Sequence, residues 1–180
     1  IEDIEILQGN LKTEEVYSHK KFVEPMLKYI VDDFKNSKVR FDDDSIGAMV
    51  ICDSSAQAKK MYEIFQSKYA KLEASNNENF YAQLVAEPKT TYGTNDIELK
   101  KDLTAKIILH DIGTKQDRKD WVEEFKDGKV DFLFVYNMLL TGFDAPRLKK
   151  LYLGRIIRQH GLLQALTRVN RTYKKFKYGF

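Results

Sequence analysis

Two arginines and a glutamine lie at helical spacing near the end of the 180-residue sequence. Gln164, Arg168 and Arg171 occupy positions i, i+4 and i+7, so a helix would present all three on one face. Two guanidinium groups on one face could clamp an anion, because each planar fork binds phosphate oxygens with two hydrogen bonds. The arginines could instead form ion pairs with acidic helices, and the spacing alone leaves both interpretations open.

Other polar residues follow short apolar runs of the kind that form buried strands. Ser54 follows one such run, and residues 110–111, 136–137 and 142–144 follow others. Ligands bind beyond the carboxyl ends of strands in open α/β sheets, so these positions are candidates for a binding site. In the last group the glycine lets the backbone approach a ligand, and the aspartate can accept hydrogen bonds from a sugar hydroxyl. The same pattern is also ordinary turn chemistry.

The elements that would position these residues alternate between helix and strand. Apolar residues recur at helical spacing from Val16 to Phe34, behind an N-cap and acidic first turn at residues 13–15, and predict one long helix. After this helix, the pattern predicts a strand at 48–52, a helix capped at Ser54 or Ser55, and a loop-rich insertion near 74–101 with a possible strand at 80–85. It then predicts a strand at 105–109, a helix ending at Gly128, strands at 131–135 and 150–153, and a last helix through Val169. This alternation predicts an α/β fold whose parallel sheet is covered by helices on both faces.

Composition and charge limit the classes of protein to consider. Hydrophobic residues make up 43% and charged residues 32%, and no apolar run approaches the ~18 residues of a membrane span. Cys52 is the one cysteine and the three histidines lack metal-ligand spacing, so we expect a cytoplasmic protein with no metal site. The net charge is only +3, yet residues 145–180 hold ten Lys and Arg and no acidic residue. This end of the chain therefore predicts either a solvated basic surface or a surface that faces phosphate.

The order of these motifs resembles the second RecA-like domain of superfamily 2 helicases and, in detail, the motor subunit of type I restriction enzymes. Two segments carry the resemblance: Leu-Leu-Thr-Gly-Phe-Asp-Ala-Pro at 139–146 and Leu-Gln-Ala-Leu-Thr-Arg-Val-Asn-Arg at 163–171. It covers the chain from about Gly47 to the end and implies a RecA-like second helicase lobe without a Walker A motif. On this basis residues 1–40 form a helical lead-in and residues 41–180 form the lobe.

The resemblance also implies roles for individual residues. Arg168 and Arg171 look like the arginine fingers that reach the γ-phosphate of ATP, where charge spreads over the phosphoryl oxygens in the transition state. Three residues would bind or face the nucleotide, with the aspartate at its ribose: Gly142, Asp144 and Gln164. Five would contact DNA or couple it to the nucleotide: Ser54, Ser55, Gln57, Arg118 and Thr141. Thr167 and Asn170 replace two glycines of the general helicase motif, as in the restriction branch.

The sequence lacks parts that this chemistry requires. It contains no Gly-x-x-x-x-Gly-Lys-[Ser/Thr] loop for the phosphates and no Asp-Glu-x-His box for Mg²⁺. We therefore expect the isolated chain to be inactive and to bind ATP and Mg²⁺ jointly with a first RecA-like lobe. The resemblance implies ATP-dependent translocation of double-stranded DNA before cleavage by a nuclease domain, in an assembly with methyltransferase and specificity subunits.

Two other interpretations of the sequence stay open. The chain could be the second lobe of another superfamily 2 DNA helicase, or a nucleic-acid-binding module whose arginines bind phosphate without an ATP cycle. A lobe of this kind would have a further strand after its last helix. We therefore expect this sequence to be a fragment that is truncated at its C-terminal end.

Overall fold

Four short strands form one sheet in the computed structural model, which describes residues 13–70, 103–138, 143–157 and 159–180. The strands are β1 (Gly47–Ile51), β2 (Ala105–Ile108), β3 (Phe132–Val135) and β4 (Leu148–Leu153). They lie in the order β2-β3-β1-β4, and each neighbouring pair is parallel. The predicted α/β fold with a parallel sheet is confirmed.

β4 begins two residues earlier than the sequence predicted, and a lysine explains the difference. Lys149 interrupts the apolar pattern, yet it lies within the strand and is completely buried. Gly47 pairs with Leu148 and Ala48 pairs with Lys150, so Lys149 is an extra residue that has no partner on β1. This β-bulge changes the direction in which the neighbouring side chains of β4 point.

Helices cover both faces of the sheet. The five described helices are α1 (Thr13–Ser18), α2 (Lys20–Phe41), α3 (Ser55–Lys68), α4 (Lys115–Lys126) and α5 (Gln159–Val169). α2 and α3 pack on one face, around a cluster of rings in which Phe34 and Phe65 contact Phe132. α4 and α5 pack on the other face, where Phe125 and Val169 join the apolar side chains of the strands. None of the described helices is both long and apolar enough to cross a membrane.

The long N-terminal helix predicted from Val16 to Phe34 is two helices. His19 has an extended backbone between α1 and α2, and its Nδ1 accepts a hydrogen bond of 3.2 Å from the backbone N–H of Lys21. A side chain that caps a new helix in this way interrupts the preceding one, although the apolar spacing continues through both. Thr13 lies inside α1 and is not its N-cap.

The helical lead-in and the sheet share one core. Leu27 and Phe34 of α2 are buried in the same cluster as Ala48 of β1 and Phe132 of β3. The domain boundary suggested at residue 40 stays a prediction. The insertion near 74–101, with its possible strand at 80–85, lies outside the described residues.

Candidate functional site

The two arginines of the predicted site converge on one short segment. Arg168 Nη1 donates a hydrogen bond of 3.0 Å to the carbonyl oxygen of Phe143. Arg171 Nη1 forms an ion pair of 2.6 Å with Oδ1 of the adjacent residue, Asp144. Asp144 is the residue that the resemblance places at the ATP ribose, so three of the predicted nucleotide-site residues form one cluster, which we call the arginine cluster.

The arginine cluster is open to solvent. The side chain of Asp144 is 56% exposed and that of Arg171 is 38% exposed, so their ion pair contributes at most about 1 kcal/mol to stability. Arg168 is half-buried on α5, and Gln164 is half-buried one turn earlier on the same helix. A pairing this weak leaves the guanidinium group of Arg171 able to exchange partners when an anion approaches.

One geometric expectation for these residues is wrong. Gln164 and Arg168 lie on α5, as their spacing predicted, but α5 ends at Val169 and Arg171 lies two residues beyond it. The backbone N–H of Arg171 bonds to the carbonyl oxygen of Val169 at 2.9 Å, which is not a helical pattern. Arg168 and Arg171 do not share a helix face. They lie near each other because both bind to residues 143–144 in the tertiary structure.

A buried lysine contributes to this helix end, and the sequence analysis missed it. Lys149 Nζ donates to the carbonyl oxygen of Val169 at 3.5 Å and to that of Arg171. Burial lowers the pKa of Lys149. The sequence carried one usable signal, because Lys149 stands inside an otherwise apolar strand pattern.

A second buried cation, Arg147, holds the start of β4. Arg147 is 3% exposed, and its Nη1 donates to the carbonyl oxygens of Phe125 and Val130, both at 2.6 Å. Its Nε donates to the carbonyl oxygen of Ser45 at 2.8 Å, and its guanidinium lies 4.8 Å from the centre of the Phe125 ring. Burial lowers the pKa of Arg147. Its donors are directed at the protein backbone, so Arg147 is a structural residue.

The positive charge of residues 145–180 is therefore less available to a ligand than its sum suggested. Besides the two buried cations and the two arginines of the arginine cluster, four others have partners within the chain. Lys150 pairs with Asp33 at 2.8 Å, Lys174 pairs with Asp43 at 3.7 Å, Arg155 donates to Asn137 Oδ1 at 2.7 Å, and Lys175 donates to the carbonyl oxygen of Phe41. Residues 145–180 therefore do not form a uniformly basic surface that faces phosphate.

The predicted DNA contacts after β1 are mostly engaged within the chain. Ser54 caps α3, and its Oγ accepts a hydrogen bond of 3.1 Å from the backbone N–H of Gln57. Gln57 is fully buried; its Oε1 accepts from the N–H of Asp53 at 2.7 Å, and its Nε2 donates to the carbonyl oxygen of Tyr17 at 2.9 Å. Ser55 Oγ is buried and has no hydrogen-bond partner in the described part of the chain. Gln57 thus joins α1 to the end of β1, and its contact with DNA stays a prediction.

Arg118 holds the loop that follows β2. Its Nη1 donates to three carbonyl oxygens of that loop, those of His110 at 3.2 Å, Ile112 at 3.0 Å and Gly113 at 2.6 Å. Arg118 thus fixes a segment at the carboxyl edge of the sheet, and its contact with DNA remains untested. Thr141 and Gly142 lie outside the described residues.

The structure divides the predicted site into two groups. Ser54, Gln57 and Arg118 lie at the carboxyl edge of the sheet, where the sequence also placed residues 142–144. Asp144 lies nine residues after β3 and four before β4, on the chain that returns toward the start of β4.

The fold and these residues define a class of protein. A four-stranded, all-parallel sheet with helices on both faces is consistent with a RecA-like lobe. Residues 44–179 match the family described as type I restriction enzyme subunit R domain 3. The chain belongs to this family, which confirms the resemblance found in the sequence.

The chain is similar to several endonuclease subunits of type I restriction enzymes. It is 30% identical over 174 residues to the putative MjaVIIP endonuclease subunit of Methanocaldococcus jannaschii, which covers 93% of this chain and 15% of the relative. It is 31% identical over 182 residues to the putative MjaVIIIP subunit of the same organism, covering 96% of this chain and 16% of the relative. A SauCOLORF180P endonuclease subunit of Staphylococcus aureus is 48% identical over 52 residues, 29% of this chain and 6% of the relative. The chain thus spans about one sixth of the length of the first two relatives.

Proposed function

We propose that this chain is the second motor lobe of a type I restriction enzyme R subunit, in which Arg168 and Arg171 assist ATP hydrolysis. The hydrolysis would drive translocation of double-stranded DNA before cleavage. The observation that carries the proposal is the arginine cluster, in which Arg168 binds to the carbonyl of Phe143 and Arg171 binds to the carboxylate of Asp144. Two segments far apart in sequence thus bring two cations and one carboxylate to one exposed place.

The chemistry of the arginine cluster fits part of an ATP molecule. Guanidinium groups bind phosphate oxygens, and a carboxylate accepts hydrogen bonds from sugar hydroxyls. The described residues contain no group of three His, Cys, Asp or Glu side chains that could hold a metal ion. Mg²⁺ would accordingly be held by a first RecA-like lobe, together with most of the phosphates.

The role of the two arginines follows from where charge develops. When the γ-phosphoryl group is transferred, negative charge spreads over its oxygens, and a preorganised cation stabilises that charge. Arg168 is oriented by the carbonyl of Phe143, and Arg171 by the carboxylate of Asp144. Both groups are therefore held at the protein surface before a nucleotide bound on a facing lobe reaches them.

The partners follow from the proposed parent protein. The relatives are named endonuclease subunits of type I restriction enzymes. We infer that the lobe acts with a first RecA-like lobe and a nuclease domain of the same R subunit, and with methyltransferase and specificity subunits. The family match favours this assignment over the second lobe of another superfamily 2 helicase.

Substitution of the arginines tests the proposal. In the complete R subunit, Arg168→Ala or Arg171→Ala should lower DNA-stimulated ATP turnover by about 10² or more, since removing an arginine finger has effects of this size or larger. The measurements are single-turnover ATP hydrolysis and thermal melting on the same preparations. Lys177→Ala, at an exposed lysine of the same segment, is the matched control.

The same experiment tests the non-ATPase alternative. If the arginines only stabilise the fold, the variants will melt at lower temperature and hydrolyse ATP normally per folded molecule. Lysine at either position should restore little activity, because an ammonium group lacks the bidentate fork of guanidinium. Full activity of Arg171→Lys would contradict the finger assignment.

A further inference from the structure

Lys149 is a completely buried lysine with an unusual set of partners. No acidic side chain of the described residues forms an ion pair with it, and its ammonium group donates to the backbone carbonyls of Val169 and Arg171. These carbonyls lie at the end of α5 and just beyond it, where a helix leaves its last carbonyl groups without partners. The partial negative charge of a helix C-terminus also favours a cation there.

The β-bulge of β4 puts Leu148 and Lys149 on the same side of the sheet. Side chains of a regular strand alternate between its two faces, so Leu148 and Lys149 should point in opposite directions. Leu148 packs in the core beneath α4 and α5, and Lys149 contacts the end of α5, so both lie on the same side. Lys150 points to the other face, where it pairs with Asp33 of α2. Regular alternation from Lys150 therefore puts Lys149 on the side of the helix that carries Arg168, and the extra residue lets Leu148 share that side.

The end of the chain closes over the same region. The backbone N–H of Phe180 bonds to the carbonyl oxygen of Lys149, and the N–H of Leu151 bonds to the carbonyl oxygen of Phe180 at 2.9 Å. A Cβ atom on Gly179 would lie 2.5 Å from the carbonyl oxygen of Val169, so only glycine allows this approach. Lys149 thus lies where β4, the end of α5 and residues 179–180 meet.

We propose that Lys149 is a positioning residue for Arg171 and Arg168 in ATP hydrolysis. The inference rests on the proposed function of the two arginines. Lys149 holds the backbone of Arg171 itself and the last residue of α5, one position after Arg168. β4 follows directly from the segment that contains Phe143 and Asp144, so Lys149 fixes the arginines relative to the groups they bind. Without the ammonium group, the end of α5 would shift although both guanidiniums remain.

Two adjacent lysines provide a matched test in the complete R subunit. Lys149→Met keeps an unbranched side chain of similar length and removes the ammonium group, and Lys150→Met does the same on the opposite face. We expect Lys149→Met to lower kcat for DNA-stimulated ATP hydrolysis by roughly 10- to 100-fold, the range for a small misplacement of catalytic groups, with KM for ATP changed less than twofold. Lys150→Met should lower the melting temperature and leave kcat per folded molecule unchanged.

A double substitution shows whether Lys149 acts through the arginines. Adding Lys149→Met to Arg171→Ala should slow hydrolysis by a smaller factor than Lys149→Met causes alone, because the effect through Arg171 is already lost and only the effect through Arg168 remains. If Lys149→Met and Lys150→Met both lower only the melting temperature, Lys149 is purely structural and the inference is overturned. Additive losses in the double variant would overturn it as well.

The design separates this inference from the proposed function. Normal hydrolysis by Arg171→Ala would contradict the finger role, and with it the proposed function. Slow hydrolysis by Arg171→Ala with normal hydrolysis by Lys149→Met would contradict only the positioning role. If Lys149→Met does not fold, Lys149→Gln replaces it, because its amide can still donate to one carbonyl; we then expect an intermediate kcat.

Discussion

Three arginines of this chain bind oxygen atoms in three different environments. Arg147 is buried and donates to backbone carbonyls, Arg168 is half-buried and donates to the carbonyl of Phe143, and Arg171 has a 38% exposed side chain and pairs with a carboxylate. The guanidinium group of Arg147 therefore serves the fold, whereas that of Arg171 lies in contact with solvent. The difference in exposure distinguishes the two environments.

Arg147 is the residue whose removal should destabilise the fold most clearly. Arg147→Met would remove the donors of Arg147 from the carbonyls of Val130 and Ser45, and each buried unsatisfied group costs about 1–3 kcal/mol. The carbonyl of Phe125 keeps the N–H of Gly128 at 3.2 Å. We expect the free energy of unfolding of the 180-residue chain to fall by about 3 kcal/mol or more in urea denaturation. Arg155→Met, which removes one hydrogen bond from a half-buried arginine, is the control. Equal losses in the two variants would show that the bonds of Arg147 contribute little.

At the scale of elements, one carboxylate ties α2 to β4. Asp33 Oδ2 accepts a hydrogen bond of 2.7 Å from the hydroxyl of Tyr152 and lies 2.8 Å from Lys150 Nζ. Burial by itself would raise the pKa of Asp33, but the hydrogen bonds from Lys150 and Tyr152 outweigh it and hold that pKa below its ordinary value. For Tyr152, burial and then the hydrogen bond to Asp33 raise the pKa. The long helix of the lead-in is thus fastened to the strand that also carries Lys149.

This tie should make stability sensitive to acid. A carboxyl group whose pKa is lowered by folding stabilises the folded state above its unfolded pKa of about 4, and that contribution is lost as the pH falls further. We therefore expect the stability of the chain to decline below about pH 4, and Asp33→Asn to weaken this decline. Urea denaturation of both proteins between pH 7 and pH 3 is the measurement. Parallel stability curves for the two proteins would mean that Asp33 does not contribute to the decline.

At the scale of the whole molecule, the proposed function requires groups that this chain does not contain. Its arginines lie at the surface, and its sequence has neither a phosphate-binding loop nor a Mg²⁺ box. An arginine finger accelerates hydrolysis of a nucleotide that is bound elsewhere. Catalysis would accordingly require a second lobe that faces the arginine cluster.

The purified 180-residue chain should therefore not hydrolyse ATP above the background rate. Phosphate release in the presence and absence of double-stranded DNA is the measurement. The Arg171→Ala form of the same chain is the control, because a contaminating ATPase would be unaffected by the substitution. DNA-stimulated turnover that disappears in the Arg171→Ala chain would contradict the expectation.

The sequence by itself determined the elements and the family. Apolar runs predicted all four described strands to within one or two residues, because burial on both faces demands continuous apolar side chains whatever their partners. Gly128 was predicted to end α4, and it follows that helix with a φ of +85°, a conformation that favours glycine. Residues 139–146 and 163–171 were sufficient to indicate the family, since they carry its chemistry as local patterns.

Only the tertiary structure decided which charged groups are buried and which of them meet. The order β2-β3-β1-β4, the bulge at Lys149 and the meeting of Arg171 with Asp144 all join residues far apart in the chain. Local periodicity depends only on neighbours in the sequence and does not report such distant partners. Arg147 and Lys149 therefore looked like surface charge, and Arg171 looked like part of the helix. Whether a cation faces a ligand or the backbone depends on the carbonyl groups that the fold brings to it, and a linear pattern does not specify these.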